Sequence, residues 1–300
     1  MKQTKMISQF TERAKSLGFI AVGFSRPHRP AHFDSFLSRL ADRKHADMTW
    51  LERNLDVRAD PSKLLAGCRT IISLAYPYPN VRHETKDGYR VARYADPSQE
   101  DYHLRLKNLG ENLCGWIQKD YPESRAKVCV DSSPILEKSI AWQSGLGFIG
   151  KNTLLVIPGY GSYFFLVEIL TTAALQYPTI KPMAEHCGTC SLCMEACPAG
   201  ALEKPYHMDA WKCLAYLTIE HRDDIRPALG LEMKRCFLGC DQCQEACPFN
   251  KGAPTIAVSM PSADEILHMG EEDFKTRFGR TSLARPGMEK IKSNLRAARS

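Results

Sequence analysis

SGLGFIGKN, Ser144 to Asn152, decides what kind of fold this chain has. Gly145, Gly147 and Gly150 spell G-x-G-x-x-G, the fingerprint of a dinucleotide-binding turn. That turn works only after a strand and before a helix, where the pyrophosphate meets the helix N-terminus. Here the order is reversed. Ser133-Pro134 reads as an N-cap with proline at the first helical position, and Pro134 to Gln143 as the helix that follows. After the glycines, LLVIP (Leu154 to Pro158) reads as a short buried strand. The glycines therefore end a helix and enter a strand, which favours a C-cap and a tight turn over a nucleotide site.

Outward from this turn, the chain has 300 residues, enough for one large or two ordinary domains, and its 44% hydrophobic content can fill packed cores. A net charge of +6 permits a polyanionic partner without requiring one. The start, MKQTKMISQF, is polar and unlike a signal peptide. The most apolar stretch, Tyr163 to Leu175, contains Glu168 and is too short to span a bilayer. A cytoplasmic, membrane-free protein is expected, and a monomer.

Ile7, Phe10, Ala14 and Leu17 share one face of a first helix that Gly18 ends. FIAVGF from Phe19, TIISLAY from Thr70, AKVCV from Ala126 and SYFFLVEIL from Ser162 read as strands. Phe33 to Arg43, Met48 to Asn54 and Asp101 to Lys119 read as helices, and Tyr76 to Gly88 as a loop rich in proline, asparagine and charge. This mixture predicts an α+β (mixed α/β) fold, a sheet flanked by helices.

Of twelve cysteines, nine lie between Cys187 and Cys247, so the chain divides near QYPTIKP, Gln176 to Pro182. In a reducing cytosol such cysteines are metal ligands rather than disulfides. Cys187-x2-Cys190-x2-Cys193-x3-Cys197-Pro198 is the bacterial ferredoxin spacing, in which three thiolates hold one [4Fe-4S] cluster and the fourth reaches a second. Cys240-x2-Cys243-x3-Cys247-Pro248 repeats it. Crossing assigns Cys187, Cys190, Cys193 and Cys247 to one cluster, and Cys197, Cys240 and Cys243 to the other. Spacing leaves the last ligand open between Cys236 and Cys213. Structural zinc prefers separated pairs or mixed Cys/His ligands and fits this run poorly. Paired clusters imply electron transfer.

RADPSKLLAGC from Arg58, RYADPSQEDYH ending at His103, VDSSPILEKSIAWQSGLGFIGKNTLL from Val130, and the cysteine block with CLAYLTIEH and GCDQCQEACPFN coincide in one order. Together they resemble the epoxyqueuosine reductase family over nearly the whole chain. The resemblance implies a cobalamin-binding catalytic domain (1–177), a ferredoxin-like domain with two [4Fe-4S] clusters (178–256) and a basic C-terminal helical segment (257–300). It implies reduction of epoxyqueuosine to queuosine at a tRNA anticodon, with an external low-potential electron donor feeding the clusters and then cobalamin.

The resemblance also implies roles. Asp131 matches the proton donor, which an epoxide oxygen needs in order to leave; burial against the corrin and substrate would raise its pKa. Arg58, Tyr102, His103, Asp131, Lys151 and Asn152 match cobalamin contacts, and small residues in the glycine loop would let backbone approach the corrin. Cys213 is the matching cluster ligand, which leaves Cys236 a buried or free thiol. Without the resemblance, Asp131 reads as an acidic residue before a helix, Arg58 as a surface arginine, His103 as a packed helix histidine and Glu137 as structural. No cobalt–histidine bond is expected, because Leu106 replaces the glycine of the D-x-H-x-x-G loop. RYADPSQEDYH is longer than the usual family loop, and Phe148 stands where tryptophan is frequent. The chain reads as a short form without the family's helical-repeat domain. Lys275, Arg277, Arg280, Arg285, Lys290, Lys292, Arg296 and Arg299, against Glu289 alone, would then supply phosphate contacts. A reductive dehalogenase, or a cobalamin-handling electron-transfer protein without a tRNA substrate, is the alternative.

Overall fold

The computed structural model describes residues 2–225, 229–250, 252 and 254–299; the last residue of the expected basic segment, Ser300, lies outside them. The near-continuous apolar run Thr70–Pro77 can only be a strand covered on both faces, because alternate side chains point opposite ways. After α1 (Lys2–Ser16), β1 (Ala21–Ser25), α2 (Phe33–Ala41) and α3 (Leu55–Ala59), this run forms β2. Next come β3 (Val81–Thr85), β4 (Arg90–Val91), α4 (Tyr102–Asp120), β5 (Ala126–Cys129) and α5 (Glu137–Gln143). The short pair β6 (Phe148–Ile149) and β7 (Leu155–Val156) precedes β8 (Phe164–Thr171).

The first sheet is antiparallel throughout, in the order β1-β2-β8-β5. Ile72 and Leu74 of β2 join Val167 and Ile169 of β8 on the face packed by α1 and α4, through Phe10, Leu106 and Leu113. The alternate residues Ile71 and Leu170 face Ile140 of α5. The mixed α/β architecture with helices on a sheet agrees with the expectation.

The glycine turn resolves as a helix stop. Gly145 follows α5 with φ of +78°; its N–H bonds Trp142 O at 3.0 Å and the Leu146 N–H bonds Ala141 O at 3.1 Å, which is the Schellman pattern. A Cβ on Gly147 would sit 2.2 Å from Val156 O, so this glycine permits the close β6–β7 pair. The crowding comes from protein backbone and not from a corrin-sized space. α5 itself starts at Glu137, later than Ser133-Pro134 implied, because the Glu137 side chain turns back to the Asp131 backbone.

The remaining elements are α6 (Leu192–Glu195), β9 (Leu202–Lys204), β10 (His207–Met208), α7 (Leu214–Ile219), β11 (Cys236–Leu238), α8 (Gln242–Glu245), β12 (Thr255–Met260), α9 (Ala263–His268), α10 (Glu271–Phe278) and α11 (Met288–Arg299). A second sheet has the order β11-β4-β3-β12, with β12 parallel to β3 and β11 parallel to β4. Val81–Thr85 is thus a strand, where the sequence reads as loop; besides the short β4 it pairs with β12, far along the chain, and its own residues show no apolar alternation. Val91, Phe237, Ile266, Phe278, Ile291 and Leu295 share one core beneath this sheet.

Arg93, just after β4, is 2% exposed and reaches into the cysteine-bearing part. Its guanidinium lies 3.0 Å from Glu245 and 3.5 Å from Asp241, and bonds the Tyr163 hydroxyl at 3.0 Å. Its backbone N–H donates to Asp241 Oδ2 at 2.8 Å. Removing one member of a buried pair strands the other charge. Arg93→Ala is therefore expected to lower unfolding stability by about 3–5 kcal/mol, read by denaturant titration of the cluster-loaded protein.

Candidate functional site

The cysteines gather in two groups of four. Burial, and then the thiols of Cys187, Cys247 and Cys190, push the Cys193 thiol up. Burial followed by Cys213, Asp241 and Cys197 pushes Cys240 up to about 12. Cys243 is pushed up by burial and by Cys240, Cys213, Cys197 and Cys193, so the two groups are also neighbours of each other. Cys213 caps the N-terminus of α7. Cys236 instead sits buried in β11, its Sγ 3.5 Å from Leu238 O and 3.4 Å from Gly239 O. Among the described residues no three His, Cys, Asp or Glu side chains converge as on a single ion. A cube of four irons spreads its thiolates wider than an ion does.

Asp131 stands on a left-handed turn, φ of +56°, a conformation a non-glycine residue adopts only when its surroundings impose it. Glu137 imposes it: its Oε1 accepts the Asp131 N–H at 2.7 Å. Three groups then meet at Asp131 Oδ2: His103 Nε2 at 2.9 Å, the Tyr102 hydroxyl at 3.2 Å and Arg285 Nη1 at 3.2 Å. Asp101, the N-cap of α4, holds His103 from behind, Oδ1 to Nδ1 at 2.7 Å. Tyr102 stacks on His103 with ring centroids 4.1 Å apart and on Phe165 at 4.2 Å.

In the free chain two cations oppose the effect of burial on the Asp131 carboxyl. Burial would push Asp131 up, but the hydrogen bond from His103 and the charge of Arg285 outweigh it and hold the carboxyl at about 2. The Asp131 side chain keeps 45% exposure, which lets water stabilise its charge too. His103 moves the other way: burial would lower it, and its bonds to Asp101 and Asp131 lift it to about 9. At neutral pH the proton therefore sits on the imidazole. His103 is not the packed apolar-face histidine its helix position implies; both ring nitrogens meet carboxylates.

Behind Asp131 lies a chain of charged groups. Glu137 is pushed up by burial and by Asp131. Glu168, in the middle of β8 and fully buried, is pushed up by burial and Glu137, and neither of its oxygens has a hydrogen-bond partner. Lys138 is lowered to about 8 by burial and then by Arg39, and Cys243 is among the groups acting on it. Arg39, lowered by burial, is acted on in turn by Cys213 and Asp209, and its Nε has no partner.

The other expected contacts are engaged elsewhere. Lys151 Nζ bonds Cys190 O at 2.9 Å and also Gly188 O, and Asn152 Nδ2 reaches Cys243 O at 3.4 Å. Arg58 is buried and bonds Arg53 O at 3.3 Å and Trp50 O at 3.4 Å. Arg285 was visible in the sequence only as one of a basic run, with nothing to single it out. Much of that run is tied internally: Lys290 to Asp223 O, Lys292 to Met269 O, Arg299 to Asp264 and Arg280 to Glu100. Lys275, Arg277 and Arg296 are exposed. Among the described residues, no helix is long and apolar enough to cross a membrane.

Comparison with known proteins places this geometry. Residues 186–250 match the 4Fe-4S double cluster binding domain, and residues 58–132 match the epoxyqueuosine reductase QueG domain. An epoxyqueuosine reductase of Leadbetterella byssophila is 32% identical over 94% of this chain and 94% of its own. A Bacillus subtilis epoxyqueuosine reductase, its catalytic aspartate loop swung out of the active site, superposes with a TM-score of 0.83 at 25% identity, over 98% of this chain and 81% of that one. An epoxyqueuosine reductase crystallised with an epoxyqueuosine-modified tRNA-Tyr stem loop superposes with a TM-score of 0.82 at 27% identity and the same coverage. By its identity over nearly the full length of such relatives, the chain belongs to the epoxyqueuosine reductase family of oxidoreductases.

Proposed function

We propose that this chain reduces epoxyqueuosine to queuosine at the wobble position of a tRNA anticodon. Electrons would pass through two [4Fe-4S] clusters to a bound cobalamin, and Asp131 would deliver the proton. The observation that carries the reading is the Asp101–His103–Asp131 relay, linked through Glu137 and Lys138 to the two groups of four thiols. A relative's complex with a modified tRNA stem loop supports the substrate, and a relative's catalytic aspartate loop supports Asp131.

The donor sets fit the groups. Cys187, Cys190, Cys193 and Cys247 would hold one cluster, and Cys197, Cys213, Cys240 and Cys243 the other, in the crossed ferredoxin manner. The Tyr102 hydroxyl, His103 and the half-exposed Asp131 carboxylate offer polar contacts to an amide-rich ligand such as cobalamin. Tyr102, His103 and Asp131 would face it together; Lys151, Asn152 and Arg58 would act at its edges from their backbone-tied positions. Cobalamin, when bound and reduced through the clusters, supplies the electrons for opening the epoxide.

The protein's own part is the proton. Oδ2 of Asp131 is taken by Tyr102, His103 and Arg285, so Oδ1 is the atom that meets the epoxide oxygen. His103 Nε2 would first give its proton to the Asp131 carboxylate, and the neutral carboxyl would then turn to deliver that proton to the leaving oxygen, which leaves His103 neutral and Asp131 ionised. Asp101 stabilises the imidazolium beforehand and sets which nitrogen faces Asp131.

Three outcomes test this. Anaerobic turnover with cobalamin, clusters and a strong reductant should remove one oxygen from the modified base, read by nucleoside mass spectrometry. Asp131→Asn should slow it by about 10²–10⁴-fold; no conversion by the fully loaded wild type would favour electron transfer without a tRNA substrate. Because His103 is raised, its charged form is complete at low pH and disappears as pH rises through about 9. The rate should fall across that range, and His103→Gln should abolish this alkaline limb. Finally, iron analysis of Cys213→Ser should give about four irons per chain, whereas Cys236→Ser should keep about eight.

A further inference from the structure

Arg285 lies far along the chain from the acid it touches. It follows the turn at Ser282–Ala284, which packs on α10, and it reaches across to Asp131 Oδ2 at 3.2 Å. Its other Nη bonds Glu220 Oε1 at 2.8 Å. The guanidinium thus bridges two carboxylates at a surface where its own side chain is 42% exposed. Asp131 is 45% exposed, while Glu220 is more covered at 18%. A second arginine of the same segment repeats the arrangement: Arg280 pairs with Glu100, and its carbonyl accepts the Asp101 N–H at 2.8 Å. Lys275 and Arg277 are exposed on α10, together with Glu271, Glu272 and Asp273 of its first turn. The mouth of the relay is therefore rimmed by arginines that the protein's own carboxylates occupy.

A carboxylate that donates a proton must first hold one. Asp131 faces His103 and Tyr102 from α4, Arg285 from the C-terminal segment and Glu137 from α5, with Asp101 behind His103 and Glu220 behind Arg285. Tyr94 is close enough to sense both Asp131 and Arg285. Of these groups, His103 is the proton's store and Tyr102 is a neutral donor. Arg285 is the one fixed positive charge, since an arginine does not deprotonate. While it stays on Oδ2, transfer of the proton from His103 to Asp131 is opposed. Phosphate is the natural competitor for such a fork, as both carboxylate and phosphate accept its paired N–H groups.

Resting on the reading of the substrate as RNA, we propose that Arg285 is a substrate-displaced clamp on the acid. It keeps Asp131 ionised in the free enzyme, and a phosphate of the bound RNA draws it away so that Asp131 can take the His103 proton. Arg285 is then a positioning residue that couples binding of the nucleic acid to readiness of the proton. The coupling would keep the acid unarmed until the RNA backbone is seated beside it.

The test reads the carboxyl itself. Holoenzyme carrying 13C-labelled aspartate is titrated by infrared difference spectroscopy, with Asp131→Asn as the blank, and the probe is an unmodified tRNA anticodon stem loop at low salt. Binding is followed separately by fluorescence anisotropy. The stem loop should raise the Asp131 midpoint by about one unit or more, the size of one lost arginine contact. Arg285→Gln should show a raised midpoint without RNA and little further rise with it, whereas Arg285→Lys should stay near the wild type. A stem loop that binds without moving the midpoint overturns the clamp and leaves the substrate reading intact, as does Arg285→Gln with an unchanged midpoint. A stem loop that fails to bind at low salt overturns both.

Discussion

The buried guanidinium of Arg93 is the interaction on which the arrangement rests. On the proposed reading, electrons would reach a site beside Asp131 only with the cysteine loops held against the sheet next to that residue. Arg93 supplies that hold from within, by setting its charge between Asp241 and Glu245 on either side of Cys243. A buried ion pair is a poor source of net stability, because desolvation offsets most of the Coulomb attraction. It is a good source of uniqueness. Arg93 meets Asp241 and Glu245, at the two ends of α8, through its guanidinium and meets Asp241 again through its backbone N–H, which fixes where α8 sits.

Around that point the two parts are joined by backbone. β3 and β4 belong to the N-terminal stretch of chain, yet they are the middle strands of a sheet completed by β11 and β12. Lys151 and Asn152, at the end of the glycine loop, bond carbonyls of the cysteine loops. The chain thus crosses between its parts repeatedly, and a loop of the first sheet cannot shift without dragging ligand-bearing backbone. This also accounts for the glycines. A Cβ on Gly147 would meet the β7 backbone and one on Gly145 the Ile180 side chain, while the loop's polar ends are anchored in the other part.

How much of this could be read beforehand follows from the range of each interaction. Local signals were legible: the first sheet's strands, the α1 and α4 helices, the reversed context of the glycines and the ferredoxin spacing all depend on near neighbours. β3 was not, since its partner β12 lies far away and its own residues alternate no apolar pattern of note. The site divides the same way. Asp131, Tyr102 and His103 sit in distinctive short segments, whereas Arg285 reaches them from a basic run in which some members are internal ties and others, such as Lys275 and Arg277, are exposed. Glu137 stood six residues beyond Asp131 in the same segment, but its role is a hydrogen bond to a backbone N–H that only a left-handed turn exposes. Short segments suggest only that burial acts on Asp131; the two cations that the fold brings to the same oxygen, His103 and Arg285, come from elsewhere in space and act the other way.

Those two cations bear on what kind of acid Asp131 would be. A carboxyl raised by burial would hold its own proton and wait, as an acid in an apolar pocket does. Here an imidazole between two carboxylates stands one hydrogen bond away, and on the proposed reading Asp131 would pass its proton to the open side of the site. A proton on His103 is favoured by both carboxylates, while the ionised Asp131 gains from each cation around it. The balance would tip if a positive charge left Oδ2 or negative charge gathered beside it. A leaving oxygen and a nucleic-acid phosphate would both bring negative charge to that place, so the proposed chemistry and the substrate's backbone would push the proton in the same direction.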